Sequence, residues 1–224
     1  MKSYTLIRSK RKTVSICIQD ASVIVRAPFN CPEPEIDRIV LSKEKWITDK
    51  LNNSREQMAR KELFELNYGS TVILRGAAYP ITARQGAKAG FDGKCFHLPP
   101  GLSSVQIKEI CIKLYRQIAK AHLSERTAKY AAQMGVKPST VRINSAKTRW
   151  GSCSSKQSIN FSWRLIMTDN DVIDYVVVHE LAHIIQMNHS KKFWTIVANA
   201  LPDYRERIDK LKKLQKKLMT EDWG

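Results

Sequence analysis

The sequence predicts an α+β protein in which a small, β-hairpin-rich α+β region, residues 1–105, precedes a C-terminal domain, residues 106–224, built on long helices. Three observations lead there. β-Branched and polar residues alternate in Thr13-Val14-Ser15-Ile16-Cys17-Ile18 and Val23-Ile24-Val25-Arg26, the period of half-buried strands. Ile107, Ile110, Cys111, Leu114 and Ile118 recur at helical spacing, as do the apolar residues of 176–185. Pro99-Pro100-Gly101 is the sharpest break between these patterns and puts the domain boundary near residue 105.

Taken in order, residues 4–28 are expected to form short antiparallel strands, with Arg8, Lys10, Arg11 and Lys12 at their first turn. Ile36, Ile39, Val40, Ile47 and Leu51 then give a helix through about Ser54, with Trp46 in the core. Thr71–Leu74 and Tyr79–Thr82 form a second hairpin around Gly76, before a Gly-rich turn region from Gly86 to Gly93. A long helix runs from about Ile107 to Met134 and stops at Gly135; His122, within it, is read as exposed or hydrogen-bonded and not as a ligand. Val141–Ile143 and Ile159–Trp163 are strands joined by an Arg149-Trp150-Gly151-Ser152-Cys153 loop. A short helix ends at Pro202. The final helix has Tyr204, Ile208, Leu211 and Leu218 on one stripe and Arg205, Arg207, Lys210, Lys212, Lys213, Lys216 and Lys217 around the rest.

The 43% hydrophobic content of 224 residues suffices for a sizeable core. The first residues are polar and basic, and no apolar run reaches the length of a membrane span, so a cytoplasmic protein with no membrane association is expected. Cys17, Cys31, Cys95, Cys111 and Cys153 are scattered and odd in number, which suits reduced thiols. Thirty-eight basic residues against 21 acids give a net charge of +17. That excess fits a merely solubilising surface, or an anionic partner such as nucleic acid, nucleotide or an acidic substrate.

The chemistry concentrates in residues 176–194, VVVHELAHIIQMNHSKKFW. His179 and His183 lie four residues apart and leave one face of a helix, with Glu180 about 100° around the axis. This is the HExxH arrangement, in which two imidazoles bind Zn²⁺ and the carboxylate acts as general base on a metal-bound water. The surrounding valines, leucine and isoleucines make the helix apolar on most sides, and three polar groups in such a helix need partners. A catalytic zinc takes three protein ligands and keeps one position open. His189 is the expected third: the helix pattern stops near Met187, Asn188 tolerates the left-handed conformation, and Ser190 can cap a helix from Lys191. Glu206 on the following helix is the competing ligand, and Cys153 is read as a packing residue. The cofactor expected is one zinc ion per chain.

The His offsets equal those of metzincins, but Gln186 stands where that signature requires Gly. The sequence instead resembles the YgjP-like zinc metallopeptidases, related to the SprT-like and WLM groups, through His179-Glu180-Leu181-Ala182-His183 followed by Asn188-His189-Ser190 and Phe193-Trp194. Arg149 to Ser154, Asn160 to Leu165, Val25-Arg26-Ala27-Pro28 and Lys45-Trp46-Ile47 extend the resemblance. It implies a zincin-like C-terminal metallopeptidase domain that takes an extended peptide at a sheet edge, with Arg149, Trp150 and Ser152 lining the cleft. Arg149 and Tyr204 are candidate oxyanion donors, while Phe193 and Trp194 buttress the turn. Two other readings stand beside a Glu180-dependent peptidase. The same zinc site could hydrolyse a nucleoside triphosphate, or zinc could be structural in a non-catalytic nucleic-acid-binding protein. Resemblance and charge together also allow a peptidase that depends on nucleic acid.

Overall fold

In a computed structural model, residues 4–86, 88–218 and 221–223 are described, with the side chains of Lys216 and Lys217 outside the description. Two units emerge, divided between Phe64 and Glu65; the first includes Leu218, Glu221 and Asp222 and the second takes in Trp223.

The first unit begins with β1 (Thr5–Ser9), β2 (Ser15–Gln19) and β3 (Ser22–Pro28), ordered β1-β3-β2. Asp20 and Ala21, both with positive φ, close a two-residue hairpin between β2 and β3, which pair antiparallel. β1 runs parallel to β3, so the all-antiparallel expectation holds only for the hairpin. The expected single helix is two, α1 (Glu33–Leu41) and α2 (Glu44–Glu62), because Ser42 and Lys43 bond back to Arg38 and Val40 and interrupt the helix. Ile36 and Ile47 join Val23, Val25 and Ala27 in the core. Trp46 does not: one position off the Ile47–Leu51 stripe, it is 42% exposed.

In the second unit β4 (Thr71–Leu74), β5 (Ala77–Ala83), β6 (Gly90–Phe91) and β7 (Phe96–Leu98) form a sheet ordered β4-β5-β7-β6. Only β5–β7 is parallel. This sheet lies in the same unit as the helices that follow, so the boundary is at Phe64/Glu65 and not near residue 105. The reason is packing. The β4–β5 turn donates Arg75 N to Ile166 O (2.8 Å), and a Cβ on Gly76 would sit 1.6 Å from Asp169 Oδ1. Phe96 meets Tyr115, Tyr115 stacks on Trp163, and the Tyr115 hydroxyl donates to Ile73 O. Pro99-Pro100-Gly101 is a turn held by Tyr68, whose hydroxyl bonds Pro99 O, and it leads directly into a helix.

That helix, α3 (Ser104–Met134), opens with a Ser103/Gln106 capping box and ends at left-handed Gly135, the stop its sequence predicts. β8 (Thr140–Asn144), β9 (Gly151–Cys153) and β10 (Ser158–Ser162) follow, ordered β8-β10-β9. β10 is parallel to β8 and antiparallel to β9, which leaves β9 at an edge. A 3-10 turn, Trp163–Met167, enters α4 (Asn170–Ile185), followed by α5 (Lys191–Ala200) and α6 (Tyr204–Leu218).

α4 is buried along nearly its whole length, and its first turns are tied on several sides. Arg126 of α3 forks onto Asp174 through Nε (2.6 Å) and Nη2 (2.5 Å), and Tyr130 donates to the same carboxylate at 2.9 Å. From α6, Arg207 donates to Asp171 O at 2.8 Å and Lys210 pairs with the Asp171 carboxylate at 2.5 Å. These anchors fix the helix that carries His179, Glu180 and His183. No helix among the described residues is long and apolar enough to cross a membrane.

Candidate metal centre

α4 sets His179 and His183 on one face, and the chain then turns back through Gln186, whose extended backbone (φ −142°) ends the helix. The turn does not use a left-handed Asn188. Among described non-glycine residues positive φ occurs only at Asp20, Ala21, Arg75 and Gln157. The Gln186 side-chain Nε2 instead donates to Asn188 Oδ1 at 2.7 Å. Ser190 precedes α5 without a side-chain cap. The outcome is nevertheless the expected one: His189 returns to the helix and its Nε2 stands 3.1 Å from His179 Nε2. Donor atoms of His179, His183 and His189 all fall within 4.8 Å of one another. Two nitrogens on a tetrahedral zinc stand roughly 3.3 Å apart, so the trio is within a small adjustment of a ligand set.

The outer ring atoms support that fit. His183 Nδ1 lies 3.3 Å from Gln186 O, and His179 Nδ1 3.4 Å from the Tyr175 hydroxyl. Such contacts at Nδ1 set the tautomer and turn Nε2 inward, as ligating histidines require. Burial, reinforced by the charges of its two neighbours, pushes the His179 imidazole down to about 3. Burial lowers His183 as well, so both are neutral lone-pair donors near pH 7. Phe193 packs against all three rings, closest on His183 at 4.6 Å, and Trp194 stacks on His189 at 5.8 Å. Tyr204 stacks in turn on Trp194 at 5.4 Å. The competing ligand Glu206 is exposed and stands outside the cluster.

Glu180 is 5% exposed, and no hydrogen-bond donor of the described residues reaches its carboxylate. Burial pushes its pKa up to about 7, against the opposing pull of Arg149. β9 crosses directly beside it. A Cβ on Gly151 would lie 2.6 Å from Glu180 Oε1 and 2.7 Å from its Cγ. Gly151 is therefore a close-approach residue, a role the sequence reading missed; the glycine inside an otherwise conspicuous segment was its one signal.

Strand alternation sorts the other residues of that segment. Cys153 shares the Gly151 face, and burial together with the Glu180 charge raises its thiol pKa, so it is a packed thiol and no ligand. Trp150 and Ser152, both half-buried, fall on the opposite face of β9, where Ser152 pairs with Asn160 and Trp150 O accepts from Ser162 N at 2.8 Å. Their side chains are not brought to Glu180, because successive strand residues point opposite ways. Arg149 is exposed and near enough to act on Glu180 through its charge. His122 Nε2 meets Asn170 Oδ1 at 3.0 Å, away from the cluster.

Among solved structures the chain is similar to the metallopeptidase zymogen abylysin of Pyrococcus abyssi. The match is 25% identical with a TM-score of 0.39, covering 42% of this chain and 95% of that one. It is also similar to the zymogen jannalysin of Methanocaldococcus jannaschii, at 22% identity and a TM-score of 0.37 with the same coverage. No curated protein matches. A family model described as YgjP-like, metallopeptidase domain, matches residues 12–214 and so spans both units, and the chain belongs to the YgjP-like metallopeptidase family.

Proposed function

We propose that the chain is a zinc-dependent peptidase with a zincin-like catalytic domain, using Glu180 as general base. One observation carries this reading. Three imidazoles converge beside a buried carboxylate that meets no hydrogen-bond donor among the described residues, and burial raises its pKa to about 7, within reach of both accepting and returning a proton at neutral pH. His179, His183 and His189 would hold the zinc ion, which when bound would supply Lewis acidity to a water and to the scissile carbonyl. Glu180 then takes the proton of the attacking water and delivers it to the departing amine.

The sheet supplies the rest. β9 has one edge unpaired beside Glu180, so an extended peptide can add there as a further strand through backbone hydrogen bonds. Trp150 and Ser154 bond to the β10 side, so the open edge offers the backbone groups of Gly151 and Cys153, while Arg149 brings positive charge over the cleft. Arg149 and Tyr204 are the donors proposed for the developing oxyanion.

The test is metal content and cleavage of a denatured protein by wild type, Glu180→Gln and His189→Ala, with a nucleoside triphosphate panel in parallel. One zinc per chain, weakened by His189→Ala, and proteolysis lost in Glu180→Gln at full metal content, are expected. Turnover confined to nucleotides would move the same residues to phosphohydrolase chemistry. Absence of bound zinc after supplementation would refute the proposal.

A further inference from the structure

Well apart in sequence from the three histidines, the β6–β7 hairpin gathers a second group of ligand-type side chains. Asp92 sits in its turn, Cys95 leads into β7, and His97 lies two residues on, on the Cys95 face. Cys95 Sγ is 3.7 Å and His97 Nδ1 3.8 Å from the same oxygen, Asp92 Oδ2. Donor atoms of all three fall within 4.8 Å of one another. Neighbouring ligands on a tetrahedral zinc stand roughly 3.3–3.6 Å apart, so small side-chain rotations would close the set.

Two further observations point to a ligand. His97 Nδ1 is the one buried side-chain polar atom among the described residues with no hydrogen-bond partner. Buried polar atoms are nearly always satisfied, and this one faces a thiol and a carboxylate. Behind the ring the space is closed, since a Cβ on Gly90 would already lie 3.0 Å from His97 Nε2. The carboxylate, for its part, is held ready. Backbone N–H groups of Cys95 and Lys94 donate to Oδ1 at 3.0 Å each, and Arg84 donates to Oδ2 at 2.7 Å. These bonds keep Asp92 well below the usual carboxylate range. The Thr82 hydroxyl, 3.3 Å from Cys95 Sγ, can donate to a thiolate.

We propose that Asp92, Cys95 and His97 form a second metal site, for a divalent ion of the zinc class, that braces the β6–β7 hairpin. Thiolate, imidazole and carboxylate together select such an ion over magnesium or calcium. The thiol proton leaves to solvent as the ion binds, and the two anionic ligands neutralise its charge. Arg84 stays on the carboxylate as its outer partner. A brace is useful here, because β6 and β7 are two and three residues long and strands so short hold a register weakly.

The test is titration of the chelator-stripped full chain with Co²⁺, read by absorption. The histidine cluster contains no sulfur, so a thiolate-to-cobalt charge-transfer band reports on the second site. Wild type is expected to take up two equivalents, one of them with the band. Cys95→Ser and His97→Ala lose that equivalent and the band, whereas His183→Ala keeps the band. Should the variants fail to fold, alkylation of Cys95 in the unaltered chain, mapped by mass spectrometry, is expected to slow at least tenfold when Co²⁺ is added. No band in wild type, a band surviving in Cys95→Ser, or an alkylation rate indifferent to Co²⁺ would each overturn the site.

Discussion

Gly151→Ala tests the active-site reading at its tightest contact. The new methyl would lie 2.6, 2.7 and 2.8 Å from Oε1, Cγ and Cδ of Glu180, a side chain only 5% exposed. Ordinary van der Waals contact begins near 3.4 Å, so either the carboxylate or β9 must move by about 0.8 Å. A displacement of about 1 Å at a catalytic group can lower the rate roughly 100-fold, or about 2.7 kcal/mol of transition-state stabilisation. The three atoms nearest that methyl all belong to Glu180, so the proposed zinc should stay bound. We therefore expect kcat/KM on a denatured protein to fall about 100-fold in Gly151→Ala with metal content and circular dichroism unchanged. Activity within threefold of wild type would refute the argument that β9 positions Glu180. Parallel loss of zinc would show that the contact supports the ligands instead.

Other perturbations separate the remaining parts. Arg149 pulls the Glu180 pKa down, so Arg149→Ala should raise it, and the carboxylate, lost as pH falls through its pKa, should be lost sooner. The acid limb of the kcat/KM profile is expected to move to higher pH by a fraction of a unit, since Arg149 is exposed; an unmoved limb contradicts this. Tyr175→Phe removes the hydroxyl at His179 Nδ1 and should weaken zinc about tenfold in a competition assay with a chromogenic chelator. Asp174→Ala leaves Arg126 without its partner in a largely buried setting, where such a break costs about 3 kcal/mol. Its melting temperature should fall by roughly 6–12 °C, and a drop under 2 °C would mean that the pair does not anchor α4.

What could be read from the sequence was local. The glycine stop at Gly135 marks the end of α3, and the apolar stripe from Ile107 puts its start within a few residues of Ser104. The spacing of His179 and His183 dictates a shared helix face with Glu180 about 100° around from it, and the end of the apolar pattern before His189 is enough to expect a returning turn. What escaped depends on residues far apart in the chain. The parallel pairings of β1 with β3 and β8 with β10 are chosen by the whole sheet, and nothing within either strand encodes the partner. The Pro99-Pro100-Gly101 break looked like a boundary because the Tyr68, Tyr115 and Ile166 contacts that bind its two sides together come from elsewhere. Gly151 is explained only by the Glu180 side chain across from it. No two cysteines of the sequence stand at ligand spacing, and the mixed group of Asp92, Cys95 and His97 shows only once the β6–β7 hairpin draws the three together.

The anchoring of α4 by Arg126, Tyr130, Arg207 and Lys210 carries a consequence for how the protein is supplied with its ion. All four grip the first turns of the helix, whereas the proposed ligands sit toward its last turns and in the loop beyond. Holding the scaffold and holding the ion are thus separate tasks, performed at opposite ends of one rod. A stripped chain should keep its architecture and wait as a receptive shell, loading when zinc is plentiful and falling silent when it is scarce, with no need to be built anew.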